Sequence, residues 1–410
     1  MISRLQSIIA LLASLLIMVL GHGLLNTLVG LRAAHEAYSD VVIGILTSCY
    51  YVGFILGTVV AMRWISKVGH IRTFATCATL ASSSALGLVL IVSPVSWAVF
   101  RLIYGMCISG LYIVIESWLN SMAENNERGK ILSVYMLISY VGVILGQGFI
   151  FTSSAAGFSL FALCSILLSL ALVPVSISNS AQPVVVKDTE RFGPLQLIRV
   201  SPLATFGCFC SGLILSAFWG FGPVFLLRLG FTANEAALFI GATLLGGLLL
   251  QWPLGILSDK INRRVAIGIS SLLGILTAIF IVLVLHGGLT HMTPWLLVLA
   301  MGYGGGNYAL YSLCIALMND FLEQKHMVRA SGGLLALHAV GAVIGPVLAT
   351  VFIAMTDAWG MMLFSAVVGC VVFAVTVFQF FRGRTIPEAT SDDFVAVPRT
   401  GWGILGLMKK

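Results

Sequence analysis

The feature that most constrains this chain is its runs of residues without charge. Residues 5–30, 73–92, 157–177, 200–225, 293–318, 331–354 and 358–381 contain no Asp, Glu, Lys or Arg. Five further apolar stretches, 40–62, 96–119, 130–151, 235–257 and 264–286, carry only one or two such residues each. About 20 apolar residues in helical conformation cross a hydrocarbon layer roughly 30 Å thick, so twelve membrane spans are expected at these positions. Charged residues make up only 9% of the chain, against about 25% in soluble domains. Such a chain cannot cover a water-facing surface. The first stretch does not have the form of a cleaved signal, because it runs on through Gly21-His22-Gly23 to Asn26 and eleven similar stretches follow.

Charge then sets the expected orientation. With twelve spans both ends lie on one side, and 19 of the 22 basic residues fall in segments on that side; the exceptions are Arg32, Arg101 and Arg228. The positive-inside rule makes that side cytoplasmic. The net charge of +7 is therefore a topology signal scattered over loops, and a nucleic-acid footprint is excluded. All eight cysteines lie within apolar stretches, where a free thiol behaves as a small hydrophobe, so neither a disulfide framework nor a metal site is expected. No Gly-x-x-x-x-Gly-Lys-Ser/Thr run and no catalytic cluster occurs. The chain reads as a non-enzyme without cofactor, working as a monomer among membrane lipid.

An internal repeat is visible. Residues 178–199 are the longest polar stretch between spans and read as a cytoplasmic linker between two six-helix bundles, 1–177 and 200–381, followed by a polar tail, 382–410, expected to be disordered. After the second span comes MRWISKVGHIR (62–72) and after the eighth GILSDKINRR (255–264). The fifth span carries Gly142 and Gly146 four apart, followed by Gln147; the eleventh carries Gly341 and Gly345, followed by Pro346. Small residues at that spacing let helix backbones approach closely, and the matches point to parallel six-helix repeats.

At these residues the chain resembles a known family. GILSDKINRR matches, position by position, the Gly-x-x-x-Asp-(Arg/Lys)-x-(Gly/Asn)-Arg-(Arg/Lys) loop of the major facilitator superfamily; the first-half copy has Met62 for the Gly and Ser66 for the Asp. Arg101 and Gly105 resemble that family's fourth-helix signature. The runs VIESWLN (114–120) and LLLQWPLGILSDK (248–260) are similar to the YcaD-like branch of its bacterial members. The resemblance implies an all-α fold of two pseudo-symmetric bundles in a bacterial inner membrane. It also implies gating by Asp259, Lys260, Arg263, Lys67 and Arg72, with Asp259 facing the N-terminus of the fifth helix as a latch. Ser66 makes that latch asymmetric. A simple basic topogenic loop is the plainer alternative. The exporter signature of the fifth helix wants Gly-Pro, and Gly146-Gln147 stands there instead, which weakens an export assignment.

Ionisable groups within a bilayer are costly and need a reason. Arg101, Gly105, Ile108 and Tyr112 share a stripe on the fourth span, with Glu116 about 60° off it at 100° per residue. Arg101 either holds an anionic or polar group of a substrate or bonds carbonyls of the first span. Glu116 lies 15 residues beyond, about 22 Å along the helix, so the two do not pair. Glu116 either carries a coupled proton or pairs with Arg72 or Arg128 near the inner face. His22 and Asn26, four apart, share one face of the first span, where the histidine either titrates or sits satisfied in the core. Spans 1, 4, 7 and 10 line the cavity in the resembling fold, which adds Trp219 from a Gly/Pro-rich segment expected to bend or unwind, and Asn307 and Tyr311 from a glycine-rich segment expected to flex. His338 is a weaker candidate. Trp118, Trp252 and Trp295 are read as interface anchors. Together these features favour a secondary transporter of a small organic solute, coupled to protons. A lipid flippase and a non-transporting membrane sensor remain the competing readings.

Overall fold

Hydrocarbon offers no water to backbone N–H and C=O groups, so each spanning segment must satisfy them internally, as a helix does. The computed structural model describes residues 2–122, 128–177, 193–288 and 291–382, and among them no strand occurs. The first half contains α1 (Ile2–His35), α2 (Asp40–Val68), α3 (His70–Leu90), α4 (Pro94–Met122), α5 (Arg128–Gly148), α6 (Ser159–Leu170) and α7 (Leu172–Ile177). The second contains the short α8 (Pro194–Val200), then α9 (Pro202–Arg228), α10 (Ala233–Lys260), α11 (Arg263–His286), α12 (Pro294–Asn319), α13 (Gln324–Thr356) and α14 (Gly360–Arg382). Among the described residues ten stretches are long and apolar enough to cross a membrane, and the last, Arg329–Phe381, spans both α13 and α14. The 26-residue α12, its apolarity diluted by Gly, Tyr and Asn, completes the twelve.

Helix ends follow local chemistry. Ser39 caps α2 by accepting from the Val42 N–H, and Thr232 and Glu235 form a reciprocal capping box at the start of α10. Pro202 and Pro294 open α9 and α12, where a missing N–H costs nothing.

The chain separates into two compact units, one with the first six spans and one with the last six. Glycine contacts show that they are built alike. A Cβ at Gly53 of α2 would overlap the Leu102 carbonyl of α4, and a Cβ at Gly246 of α10 would overlap the Met301 carbonyl of α12. Gly105 stands likewise against the Tyr50 carbonyl, and Gly304 against that of Thr243. Gly146 stands against Leu20, and Gly345 against Leu213. The numbering offset is constant on each side: 53 to 246, 50 to 243 and 20 to 213 all differ by 193, while 102 to 301, 105 to 304 and 146 to 345 all differ by 199. Three close backbone contacts at two helix crossings thus recur in the second unit.

Several local expectations change. α9 runs unbroken through Pro223. The proline leaves the Trp219 carbonyl without its helical donor, yet the surrounding residues are buried and hold the helix in place. The glycines of α12 are contact surfaces within a continuous helix: Gly302 meets Thr277, Gly305 meets Leu250 and Gly306 meets Gly274. Trp252 and Trp295 are exposed, as interface anchors would be, but Trp118 is fully buried with its ring 5.8 Å from His70. Of the expected linker, Pro194–Val200 is helical and Leu197 is buried; residues 178–192, and the tail from 383, lie outside the described residues.

Candidate functional site

The first unit gathers a polar cluster from three helices. α1 supplies His22 and Asn26, α2 supplies Tyr50, and α4 supplies Arg101, Tyr104 and Tyr112. The close α2–α4 crossing at Gly53 and Gly105 brings Tyr50 against the arginine, whose guanidinium carbon lies 4.6 Å from the ring centre. Cation–π contact of this kind stabilises a desolvated arginine. Arg101 Nη1 donates to Asn26 Oδ1 at 3.3 Å, Asn26 Nδ2 lies 3.1 Å from His22 Nε2, and His22 Nδ1 lies 3.2 Å from the Tyr104 hydroxyl. The imidazole lies nearly parallel to the rings of Tyr50 and Tyr104, which also touch each other, and meets Tyr112 edge-on, with centroids 6.0, 5.9 and 6.3 Å away.

Arg101 is only 4% exposed. Among the described residues no carboxylate lies within ion-pair distance of it, and its buried Nε has no hydrogen-bond partner. Among the described residues its contacts are with the neutral groups of Asn26 and Tyr50. A buried charge in such a setting is costly unless a counter-charge arrives.

Glu116, further along α4, is 2% exposed and accepts a 2.5 Å hydrogen bond from the Tyr135 hydroxyl of α5. Arg72 is exposed, and the side chain of Arg128 lies outside the described residues. Gln147 joins α5 to α1, donating to the Gly23 carbonyl at 3.0 Å and accepting from the Thr27 hydroxyl at 2.7 Å.

The second unit has a smaller, uncharged counterpart. Tyr311, 199 residues after Tyr112, has its ring centre 4.8 Å from that of His338 on α13, and His338 Nδ1 lies 2.9 Å from the Ser211 hydroxyl of α9. The residues 199 after Arg101 and Glu116 are Ala300 and Ile315, so these two charged groups of α4 have no equivalent on α12. Asn307 is not brought to this group. It donates to the Tyr303 carbonyl of its own helix at 2.9 Å and packs on Gly274 of α11. Trp219 is half-buried and meets the Phe218 ring edge-on at 6.2 Å.

In the signature loop, Arg263 lies between two carboxylates: Nη1 donates to Asp259 Oδ1 at 2.9 Å, and Nε lies 2.7 Å from Asp320 Oδ2 at the end of α12. Arg263 and Asp320 are almost fully buried. Lys260, Lys67 and Arg72 are exposed. The first-unit copy carries different residues at these positions. His70 stands 193 residues before Arg263 and bonds Ser117 at 3.1 Å, while Ser66 and Ser121 stand where Asp259 and Asp320 do.

Asp320, Tyr50, Tyr104 and Tyr135 are the participants that sequence reasoning missed. Asp320 sits just past the tenth apolar run and looks like a loop residue. The three tyrosines carry no motif, although Tyr104 directly precedes the signature Gly105.

The sequence profile described as Major Facilitator Superfamily matches residues 11–306 and 229–409. The MFS-type transporter YcaD of Escherichia fergusonii is 27% identical over 344 residues, covering 83% of this chain and 87% of that protein. A second MFS-type transporter, Ent638_1421 of Enterobacter sp., is 27% identical over 342 residues with the same coverage. Among solved structures, the nucleoside transporter NupG aligns with a TM-score of 0.72 at 16% identity over 93% of this chain and 99% of that one. A bacterial homologue of the human lysosomal transporter Spinster aligns at 0.70 with 14% identity, over 93% and 98% respectively. The twelve spans, the paired repeat and this match across nearly the whole sequence agree: the chain belongs to the Major Facilitator Superfamily of membrane transporters.

Proposed function

We propose that this protein is a proton-coupled secondary transporter of a small organic anion, working by alternating access as a monomer in a bacterial inner membrane with both termini cytoplasmic. Arg101 carries the reading. It is a buried cation among neutral partners, with Nε unengaged and only Asn26 bonded at Nη1. The planar guanidinium suits side-on, bidentate bonding to a carboxylate. A single cation in the cluster favours a single negative charge, which selects monoanions over dianions. Tyr112, His22 and Asn26 complete the proposed substrate contacts of the first unit, and Trp219 and Tyr311 are proposed as substrate contacts of the second. The groups proposed to hold the coupled proton are Glu116 and His22, and the Asp259–Arg263–Asp320 cluster is proposed to gate.

Thermal unfolding of the purified protein tests this, across size-matched organic acids, amines and neutral solutes, with wild type beside Arg101→Ala. A ligand that binds only the folded state raises the transition with concentration. Stabilisation by acids that Arg101→Ala loses supports the proposal. Stabilisation confined to amines, or acid binding unchanged in Arg101→Ala, refutes it. Response only to added phospholipid would favour lipid translocation.

A further inference from the structure

The donors and acceptors along α1 and α4 allow one protonation pattern. An arginine can only donate, so the atom of Asn26 facing Arg101 is the carbonyl oxygen. The other end of the amide, Nδ2, is then a donor aimed at His22 Nε2, and that nitrogen must present a lone pair. The single imidazole proton therefore sits on Nδ1 and is donated to the Tyr104 hydroxyl. In this arrangement His22 is neutral and Arg101 is tethered.

A proton arriving at Nε2 reverses the logic. The N–H so formed would meet the NH2 group of Asn26, donor against donor. Turning the amide about its Cβ–Cγ bond restores an acceptor for His22 but presents NH2 to Arg101, which has nothing to accept it with. A protonated His22 and a tethered Arg101 exclude each other. We infer that Asn26 is a positioning residue that links a proton on His22 Nε2 to the release of Arg101 for an anion. The inference rests on the anion-binding reading of Arg101, although the linkage can be measured without any ligand.

The surroundings leave His22 as the group that can act this way. α4 brings Tyr104, Tyr112 and, through Asn26, Arg101; α2 brings Tyr50. α6 brings Cys164, whose backbone carbonyl lies against Gly21. From α5, Val143 packs on Gly23 and Gln147 bonds its carbonyl, and neither titrates. α7, Leu172–Ile177, contains no titratable residue. Glu116 bonds Tyr135, outside this hydrogen-bonded chain. One proton taken up with one anion leaves the net charge of the cluster unchanged, so solute and proton would move together without net charge.

The test is nitrogen-15 histidine NMR of the full-length protein in detergent micelles, with His22 assigned from its loss in His22→Gln. Wild type at pH 8 should show His22 with Nδ1 protonated and Nε2 bare; the opposite tautomer overturns the proposal. Arg101→Met should raise the ratio of doubly to singly protonated His22 at a fixed pH, because the amide is then free to turn. Loss of the positive charge acts in the same direction, so the comparison is made again in an Asn26→Leu background. We expect the rise to be at least about tenfold smaller there, equivalent to one pH unit. An equal rise in both backgrounds would mean direct electrostatics and would refute the relay. Asn26→Asp gives an independent reading: its carboxylate accepts from both neighbours, so His22 should be doubly protonated even at pH 8. A bare Nε2 in Asn26→Asp also overturns it. If the relay holds while organic acids fail to stabilise the protein, only the substrate assignment falls.

Discussion

The guanidinium carbon of Arg101 lies 4.6 Å from the centre of the Tyr50 ring, across the tight crossing of α4 and α2. That contact and one bond to Asn26 are what the structure offers a cation that is 4% exposed. Such sites are kept for function at a cost in stability.

Replacing the arginine should therefore stabilise the empty protein. Arg101→Met keeps much of the side-chain volume and removes the uncompensated charge, a change expected to contribute about 1–3 kcal/mol. The unfolding temperature in detergent without ligand should rise, while stabilisation by organic acids disappears. A lowered transition would identify Arg101 as a structural residue.

The repeat makes a paired prediction about glycines. Gly105→Ala and Gly304→Ala each drive a methyl into a backbone carbonyl of the neighbouring helix, which should cost roughly 1–3 kcal/mol by overpacking. Gly148, with nothing within 4 Å of a built Cβ, is the control, and Gly148→Ala should leave the unfolding temperature unchanged. Equal tolerance at all three positions would remove the close-crossing argument.

The carboxylates around Arg263 should differ in weight. Asp320 is 3% exposed and Asp259 23%. Removing the deeper partner leaves the buried Arg263 Nε–H unsatisfied with only the more exposed Asp259 as counter-charge, at a cost of about 1–3 kcal/mol, so Asp320→Ala should lower thermal stability more than Asp259→Ala. Asp259→Asn should mainly change gating, seen as altered cysteine labelling of outer-half positions. Unchanged labelling would leave Asp259 a plain topogenic charge.

Glu116 and Tyr135 should behave as a unit. If the 2.5 Å bond tunes a coupled proton, Tyr135→Phe will shift the pH profile of uptake into proteoliposomes. Glu116→Gln should flatten the profile, and Tyr135→Phe added to it should do nothing more. Additive effects in the double variant would separate the two residues.

The spans, their number and the paired halves were legible from residues alone, because a bilayer accepts few solutions. Charge must leave the apolar runs, and backbone polar groups must close on themselves as helices. Arg101, Glu116, His22 and Asn26 stood out for the same reason, as polar groups where polarity is costly. The signature turn was readable too, through Asp259 and Arg263.

What the residues touch was decided only by the tertiary structure. Sequence spacing relates positions on one helix, but partners come from other helices at separations that no periodicity encodes. Asn26 reaches Arg101 across 75 residues and Asp320 reaches Arg263 across 57. The same gap explains Asn307, polar and in a promising segment, which turned toward Gly274 of α11 because helix rotation is set by packing. It explains the glycines of α12 as well: their composition reads as flexible, yet missing side chains in a packed bundle are where neighbouring backbones fit.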